Sequence, residues 1–309
     1  MTFEQLRIFM AVAEHLHFTH AADALYITQP AVSAAIHSLE TEYGLKLFHR
    51  IGRRIEITDA GKLLQVEARK ILDQVKLTER GLREFNQLQQ GELNLGASFT
   101  VGNYWLPEKI SRFRHNYPGI TIHCTLANAD DICTGTASGL YDLGLIAGEV
   151  KPVQRKVLEE ETVGGDRLEI IVGKEHPWFE HPVVKTEELL KTSWVMREPG
   201  SGTQQMFEQA LARWGILPSE LEIILIFKSS EMVKAVVESG VGATALPELM
   251  VKKELRLKTL KAIKVIDASG TVMAKITRPI LQLKHCQRFQ TRAAKAFEAL
   301  LLDPSSGTR

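Results

Sequence analysis

The chain has 309 residues, and its 38 lysines and arginines nearly balance 37 aspartates and glutamates, which gives a net charge of +1 at pH 7. This length suggests two or three domains, and the near-neutral charge excludes a protein that binds polyanions over its whole surface. The three cysteines, Cys124, Cys133 and Cys286, form no CxxC motif, and every apolar run is too short to span a membrane. We therefore expect a cytoplasmic protein without a disulfide framework, a signal peptide or a membrane span.

Residues 18–40, FTHAADALYITQPAVSAAIHSLE, predict a helix-turn-helix. Apolar residues recur at helical spacing in two short runs, one over 19–25 and one that starts at Thr28. Thr28 is a suitable N-cap, and Pro30 is tolerated in the first turn because an N–H there has no partner within the helix. An amphipathic helix over 3–15 would complete a three-helix core. In this motif the second helix can lie in the major groove of DNA, whereas a plain helical hairpin is the alternative.

The next stretch, LKLFHRIGRRIEITDAG, predicts a two-stranded β-wing. Within it, residues 46–54 contain no acidic residue and four basic ones, Lys46, Arg50, Arg53 and Arg54. Residues 1–58 as a whole hold five basic and six acidic residues, so the positive charge is local. Local positive charge is what contact with DNA phosphates requires. We expect these side chains, Arg50 among them, to contact phosphates, although a solvated turn would have the same composition.

Residues 59–90 predict one long helix that pairs two chains. Seven positions repeat at alternating spacings of four and three, namely Leu64, Ala68, Ile71, Val75, Thr78, Leu82 and Phe85. At 1.5 Å per residue the helix would be about 45 Å long, and we expect Gly91 to end it. Such a heptad seam favours a homodimer that presents two DNA-binding heads to a two-fold DNA site. The alternative is a helix that packs on its own chain.

From residue 92 onward, strand and helix patterns alternate, which predicts α/β architecture with a parallel sheet in two units. Two loops follow strands and open helices, and both are rich in hydroxyl and backbone donors that suit an anion. The residues concerned are Ser98 and Thr100 in the first loop, Ser201, Gly202 and Thr203 in the second, and Asn128 at the end of another strand. Because Gln204 and Gln205 follow the second loop, we expect neutral donors to hold the anion. Ordinary helix caps would look the same.

The helix-turn-helix with TQPAVSAAIHSLE, the wing LFHRIGRRIEIT followed by DAG, and the long helix together resemble the LysR-type transcriptional regulators. The resemblance runs over the full chain and implies a multidomain α plus α/β fold. Its parts would be a winged helix-turn-helix over 1–58, a linker and dimerisation helix over 59–90, and a two-lobed, periplasmic-binding-protein-like effector domain over 91–309. Lobe I would take 91–161 and 268–302, and lobe II 162–267. The resemblance also implies a homotetramer, since effector domains pair as well as linker helices.

The resemblance further implies which residues meet double-stranded DNA at an interrupted palindromic operator. These are Thr28, Gln29, Pro30 and Ser33 on the recognition helix, with Arg53 and Arg54 on the wing. Many members carry basic or long polar side chains just after the serine, whereas this chain has Ala34, Ala35 and His37. We therefore expect base readout from Gln29 and His37 together with DNA shape.

These features predict a ligand-responsive transcriptional regulator that is not an enzyme and needs no metal or other cofactor. A small anionic metabolite bound between the two lobes would modulate its activity. One alternative is a small-molecule-binding protein or enzyme with an unrelated helical appendage. Another is a redox-sensing regulator, which would need a disulfide between Cys124 and Cys133. The apolar strand pattern around Cys124 favours a structural role, as a small buried hydrophobe.

Overall fold

The computed structural model describes residues 1–51, 54–86 and 91–303. Internal contacts divide the chain into two units, Met1–Leu82 and Arg83–Arg309. None of the helices within the described ranges combines the length and the apolar character that crossing a membrane needs.

The first unit consists of a three-helix core, a two-stranded wing and the start of a long helix. Its elements are α1 Phe3–His15, α2 Phe18–Leu25, α3 Gln29–Tyr43, β1 Phe48–Ile51, β2 Arg54–Ile57 and α4 Asp59–Asn86. Thr2 and Gln5 form a capping box at the start of α1. Thr28 occupies the N-cap position of α3 but makes no side-chain capping bond. Gly44 adopts a φ of 66° and ends α3 in the left-handed conformation that glycine tolerates best.

The first turns of α4 pack on this head. Leu64 contacts the core of the head, and Ala68 is fully buried within it. Ala68 has no surface left for a second chain, so the dimer seam expected from the sequence is wrong at this position. Farther along, Ile71 and Leu82 are 37% and 65% exposed, so these two apolar side chains of the seam face solvent. Gly91 begins a strand and does not end α4.

The second unit is built on a ten-stranded sheet. Its strands are β3 Gly91–Ser98, β4 Ile120–Ala127, β5 Leu143–Ala147, β6 Leu158–Gly173, β7 Val183–Lys185, β8 Ser193–Arg197, β9 Glu222–Phe227, β10 Ala243–Pro247, β11 Leu260–Ile266 and β12 Ile276–His285. Its helices are α5 Leu106–Asn116, α6 Ala129–Ser138, α7 Gly202–Arg213, α8 Ser230–Glu238, α9 Glu248–Leu257 and α10 Arg292–Leu302. Short helical turns span Val101–Trp105 (π), Gln154–Lys156, Pro177–Phe179, Thr186–Lys191 and Pro218–Glu220 (3₁₀).

The sheet is mixed, which corrects the expected all-parallel arrangement. The main strand order is β4-β3-β5-β12-β6-β10-β8-β9. Strand β3 runs parallel to β4 and β5, and β8 runs parallel to β9 and β10. The long strands β6 and β12 are antiparallel to each other, and they are also antiparallel to β10 and β5 respectively. The antiparallel pair arises because β12 carries the chain back beside β6.

Separate hydrophobic cores define the two lobes. Lobe I contains β3–β5, α5, α6 and α10, and one of its cores is centred on Phe113 and Phe297. Lobe II contains β7–β11 and α7–α9, and one of its cores is centred on Trp194 and Phe207. The crossing strands β6 and β12 contribute residues to the cores of both lobes. The carboxyl ends of β3, β5 and β8 therefore face a cleft between the lobes.

Candidate DNA interface and effector cleft

The outer face of α3 presents the helix residues that the sequence singled out. Thr28, Gln29 and Pro30 are exposed at its start. Ser33 is half-buried, and His37, one turn farther along the helix, is exposed. The opposite face packs in the core of the head through Val32, Ile36 and Leu39. This arrangement leaves one polar face of α3 open for contact with a nucleic acid.

A groove of about 390 Å³ separates α3 from the wing strand β1. Its walls are formed by Phe18, Ser33, Ile36, His37, Glu40, Lys46, Phe48 and His49. The sequence analysis missed His49. Strand alternation could have found it, because Phe48 is buried and its neighbour must point to the other face. The groove thus brings Ser33 and His37 of the helix beside His49 of the wing.

Glu40 fixes the start of the wing relative to α3. Its carboxylate accepts hydrogen bonds from Lys46 Nζ at 2.6 Å and from the backbone N–H groups of Leu47 and Phe48 at 3.0 and 3.4 Å. Partial burial raises the pKa of Glu40, but these hydrogen bonds outweigh burial and hold the pKa below its ordinary value. Glu40 thus offsets the charge of Lys46, whose side chain remains 64% exposed. Arg53 lies outside the described residues, as do the side chains of Arg50 and Arg54.

The cleft brings together all six residues that the sequence placed near an anion. Ser98, Thr100 and Asn128 of lobe I and Ser201, Gly202 and Thr203 of lobe II line one cavity. The cavity measures about 10 Å³, which is about the space that one water molecule needs. The two lobes therefore approach each other closely at this cavity.

Several of these residues already serve the fold of the cleft. Ser98 Oγ accepts a hydrogen bond from the Ala147 N–H at 3.3 Å, and Asn128 Oδ1 caps α6 through the Asp131 N–H at 2.8 Å. Ser201 occupies the N-cap position of α7 without a side-chain capping bond. Gly202 also allows close packing between two elements of the cleft. A Cβ at Gly202 would lie 2.2 Å from the carbonyl oxygen of Ala147, so only glycine lets α7 approach β5 this closely.

Two buried arginines also line the cleft, and the sequence analysis missed both. Arg197, at the end of β8, is 5% exposed. Its Nε and one terminal nitrogen donate to the Glu198 carboxylate at 2.8 and 3.0 Å. The other terminal nitrogen donates to the Ser230 hydroxyl at the start of α8. The guanidinium also lies 5.7 Å from the centre of the Phe99 ring in lobe I.

Arg278 lies opposite Asp166 on the crossing strands β12 and β6. Its guanidinium donates to Asp166 Oδ2 at 2.8 Å and to Thr203 Oγ1 at 3.1 Å, and the side chains of Arg278 and Asp166 are 1% and 2% exposed. Within the described residues, Arg278 Nε is buried and has no hydrogen-bond partner. Burial lowers the pKa of Arg278, Asp166 opposes this shift, and the positive charge of Arg197 lowers the pKa further.

The cleft therefore holds two cationic side chains beside the neutral donors that the sequence pointed to. The alternation of side chains along a strand could have revealed Arg278. It lies two residues from Ile276 and two from Ile280, which are both buried, so all three share one face of β12. A charged residue at an inward position usually has a partner or a function. Here the two guanidinium groups face one cavity, while Glu198 and Asp166 are not among the residues that line it.

The cysteines are free in the structure. Cys124 is exposed on β4, so its expected role as a buried hydrophobe is wrong, whereas Cys133 is buried in α6. Burial and the negative charge of Asp130 raise the pKa of Cys133 to about 12, which leaves little reactive thiolate near neutral pH. No group of three or more potential metal ligands occurs in the described ranges.

Comparisons with known proteins agree with this architecture. The description "Bacterial regulatory helix-turn-helix protein, lysR family" matches residues 3–62, and "LysR substrate binding domain" matches residues 86–304. A probable RuBisCO transcriptional regulator of Cyanidium caldarium is 32% identical, with 96% of this chain and 92% of that protein covered. A protein with the same description from Trichormus variabilis is 33% identical, with 97% and 88% covered.

A solved structure of full-length CbnR complexed with its target DNA has the same fold. It superposes with a TM-score of 0.72 at 20% identity, over 99% of this chain and all of that one. Models of one family thus match both the part of the chain with α3 and the wing and the part with the two lobes. The chain belongs to the LysR family of transcriptional regulators, as a DNA-binding protein with an effector-binding domain and not an enzyme.

Proposed function

We propose that a small anionic metabolite binds in the cleft between lobes I and II and modulates the regulator's affinity for DNA. The observation that carries this proposal is the pair of buried guanidinium groups, Arg197 and Arg278, on one cavity. Glu198 and Asp166 offset much of their charge, but an anion in the cavity would gain charge-assisted hydrogen bonds from these donors. Hydroxyl groups of Thr100 and Thr203 add neutral hydrogen-bonding groups on both sides.

Each neutral group should contribute measurably to anion binding. We expect Thr100→Ala and Thr203→Ala to weaken binding roughly 10- to 150-fold each, because a hydrogen bond to a charged group contributes about 1.5–3 kcal/mol. Isothermal titration of the full-length protein against sulfate, phosphate and small mono- and dicarboxylates measures this effect.

Thr121→Ala is the matched control, because Thr121 is an exposed threonine at the start of β4 in lobe I. It should bind the same anion with unchanged affinity. The effector proposal is wrong if no anion of the panel binds, or if all three variants bind as tightly as the unmodified protein.

We further propose that α4 pairs two chains so that two heads reach an interrupted palindromic operator. The support is the exposure of two apolar side chains of the seam, Ile71 and Leu82. Two copies related by a two-fold axis would bury these side chains against each other.

Both edges of the sheet support a further pairing of effector domains into a homotetramer. Edge strand β9 exposes four consecutive aliphatic residues, Ile223, Ile224, Leu225 and Ile226, and Leu126 is exposed on the other edge strand, β4.

Charge introduced into the seam should therefore separate the chains. We expect Ile71→Glu combined with Leu82→Glu to lower the oligomeric state, measured by sedimentation velocity at micromolar concentration. Val66→Glu is the control, because Val66 is 55% exposed but lies roughly 150° around the helix from the seam. An unchanged sedimentation coefficient in the double variant, or an equal change in the control, would contradict the assigned seam. A DNA-binding role also places the protein, in this proposal, in the cytoplasm.

A further inference from the structure

A polar cluster ties lobe I to lobe II beside the cleft. Tyr104 belongs to the π-helical turn of lobe I, and its hydroxyl donates a hydrogen bond to the Glu231 carboxylate on α8 of lobe II. Lys234, one turn along α8, lies 3.1 Å from Glu231 and 3.1 Å from Glu254 on α9. Its ammonium group also lies 6.0 Å from the centre of the Tyr104 ring.

The cluster is partly buried, since Glu231 is 49% exposed whereas the other members are more enclosed. The side chains of Lys234 and Glu254 are 14% and 15% exposed, and the Tyr104 ring packs on the core of lobe II formed around Val233 and Met250. Burial, followed by the hydrogen bond to Glu231, raises the pKa of Tyr104 to about 12. Tyr104 therefore remains a neutral donor at physiological pH, so its bond to Glu231 persists there.

Both ends of this contact continue directly into the cleft. Tyr104 follows the cleft-lining residues Ser98 and Thr100 by a few positions along the chain. Glu231 follows Ser230, whose hydroxyl accepts the hydrogen bond from Arg197. A small cavity lined by Phe99, Thr100, Tyr104, Ser230 and Glu231, among other residues, connects the two features. A displacement of α8 away from lobe I would therefore open the cleft and break the Tyr104–Glu231 bond together.

The closed cleft has room for about one water molecule, so a metabolite cannot enter unless the lobes separate. We propose that Tyr104, Glu231, Lys234 and Glu254 form a latch that holds the lobes closed and that effector binding must release. The latch sets the fraction of molecules that are open, and the apparent affinity for the effector scales with that fraction. This inference deepens the proposed function and rests on it only for the role of the effector.

Hydrogen exchange of the full-length protein without any effector tests the latch itself. We expect Tyr104→Phe to reduce the protection of backbone amides about tenfold in both 101–105 and 230–238, because one hydrogen bond to a charged group is lost. Lys234→Met, a second variant that leaves the tyrosine in place, should reduce protection in the same two segments. Tyr117→Phe, at the opposite end of α5, is the control and should change neither segment.

Two results would overturn the latch. One is an amide exchange rate that stays within twofold of the rate in the unmodified protein for both Tyr104→Phe and Lys234→Met. The other is faster exchange in only one of the two segments, because separation of the lobes must expose both. A second measurement compares anion binding. The Tyr104→Phe variant should bind inorganic phosphate or sulfate more tightly than the unmodified protein if either anion enters the cleft. A looser latch with weaker anion binding would show that closure favours the ligand and would overturn the stated direction.

Discussion

Arg278→Met is expected to abolish anion binding and to reduce the free energy of unfolding by about 3–5 kcal/mol. The destabilisation arises because the Asp166 carboxylate, whose side chain is 2% exposed, would lose its charged partner within the sheet. A buried charge without a partner is among the most costly defects a mutation can create. In a domain of this size the change corresponds to a decrease in melting temperature of roughly 6–20 °C, which calorimetry of the full-length protein measures.

Combining Arg278→Met with Asp166→Asn separates the two roles. Neutralising both partners should restore at least half of the lost stability, because no isolated charge remains, while anion binding should stay absent. Arg167→Met is the matched control, on β6 directly after Asp166. Arg167 pairs with Glu169 and Glu248 but its side chain is 38% exposed, so we expect a loss of at most about 1 kcal/mol. Equal melting temperatures for Arg278→Met and Arg167→Met would contradict this account.

The elements of the chain were largely predictable because their patterns are local. Helix α3 could be placed from Pro30, Gly44 and the apolar face between them, and the observed helix spans Gln29–Tyr43. The two cleft loops could be placed because each follows a strand and opens a helix. The direction of the crossing strands could not be read in the same way, because β6 and β12 pair across more than a hundred residues.

The charged groups of the cleft were missed for a related reason. Gln204 and Gln205 follow the second loop along the chain, and this local view suggested an anion held by neutral donors. The structure also places Arg278 in this cleft, 75 residues along the chain from its hydrogen-bond partner Thr203. Likewise, Ala68 fits the heptad pattern of α4, yet it contacts the head, since pattern alone does not say which partner covers an apolar position.

The wing should supply most of the electrostatic part of DNA binding, and Lys46 little of it. We expect the double substitution Arg53→Ala and Arg54→Ala to reduce the slope of log Kd against log salt by about 2, because each lost phosphate contact lowers it by about 0.9. Affinity should fall about 10- to 100-fold at physiological salt. Fluorescence anisotropy with a fragment from the gene's own upstream region, between about 50 and 200 mM salt, measures both quantities.

Lys46→Ala is the matched control for the wing, since it also removes one cation from the same cluster. Glu40 holds Lys46 at 2.6 Å and offsets its charge, and two backbone N–H groups continue to bind Glu40 without it. The slope should therefore change by less than about half of one phosphate contact. Equal slopes for Lys46→Ala and for either single arginine variant would mean that DNA draws Lys46 away from Glu40. In that case the Glu40 contact would be a feature of the free protein only, and binding would begin with its release.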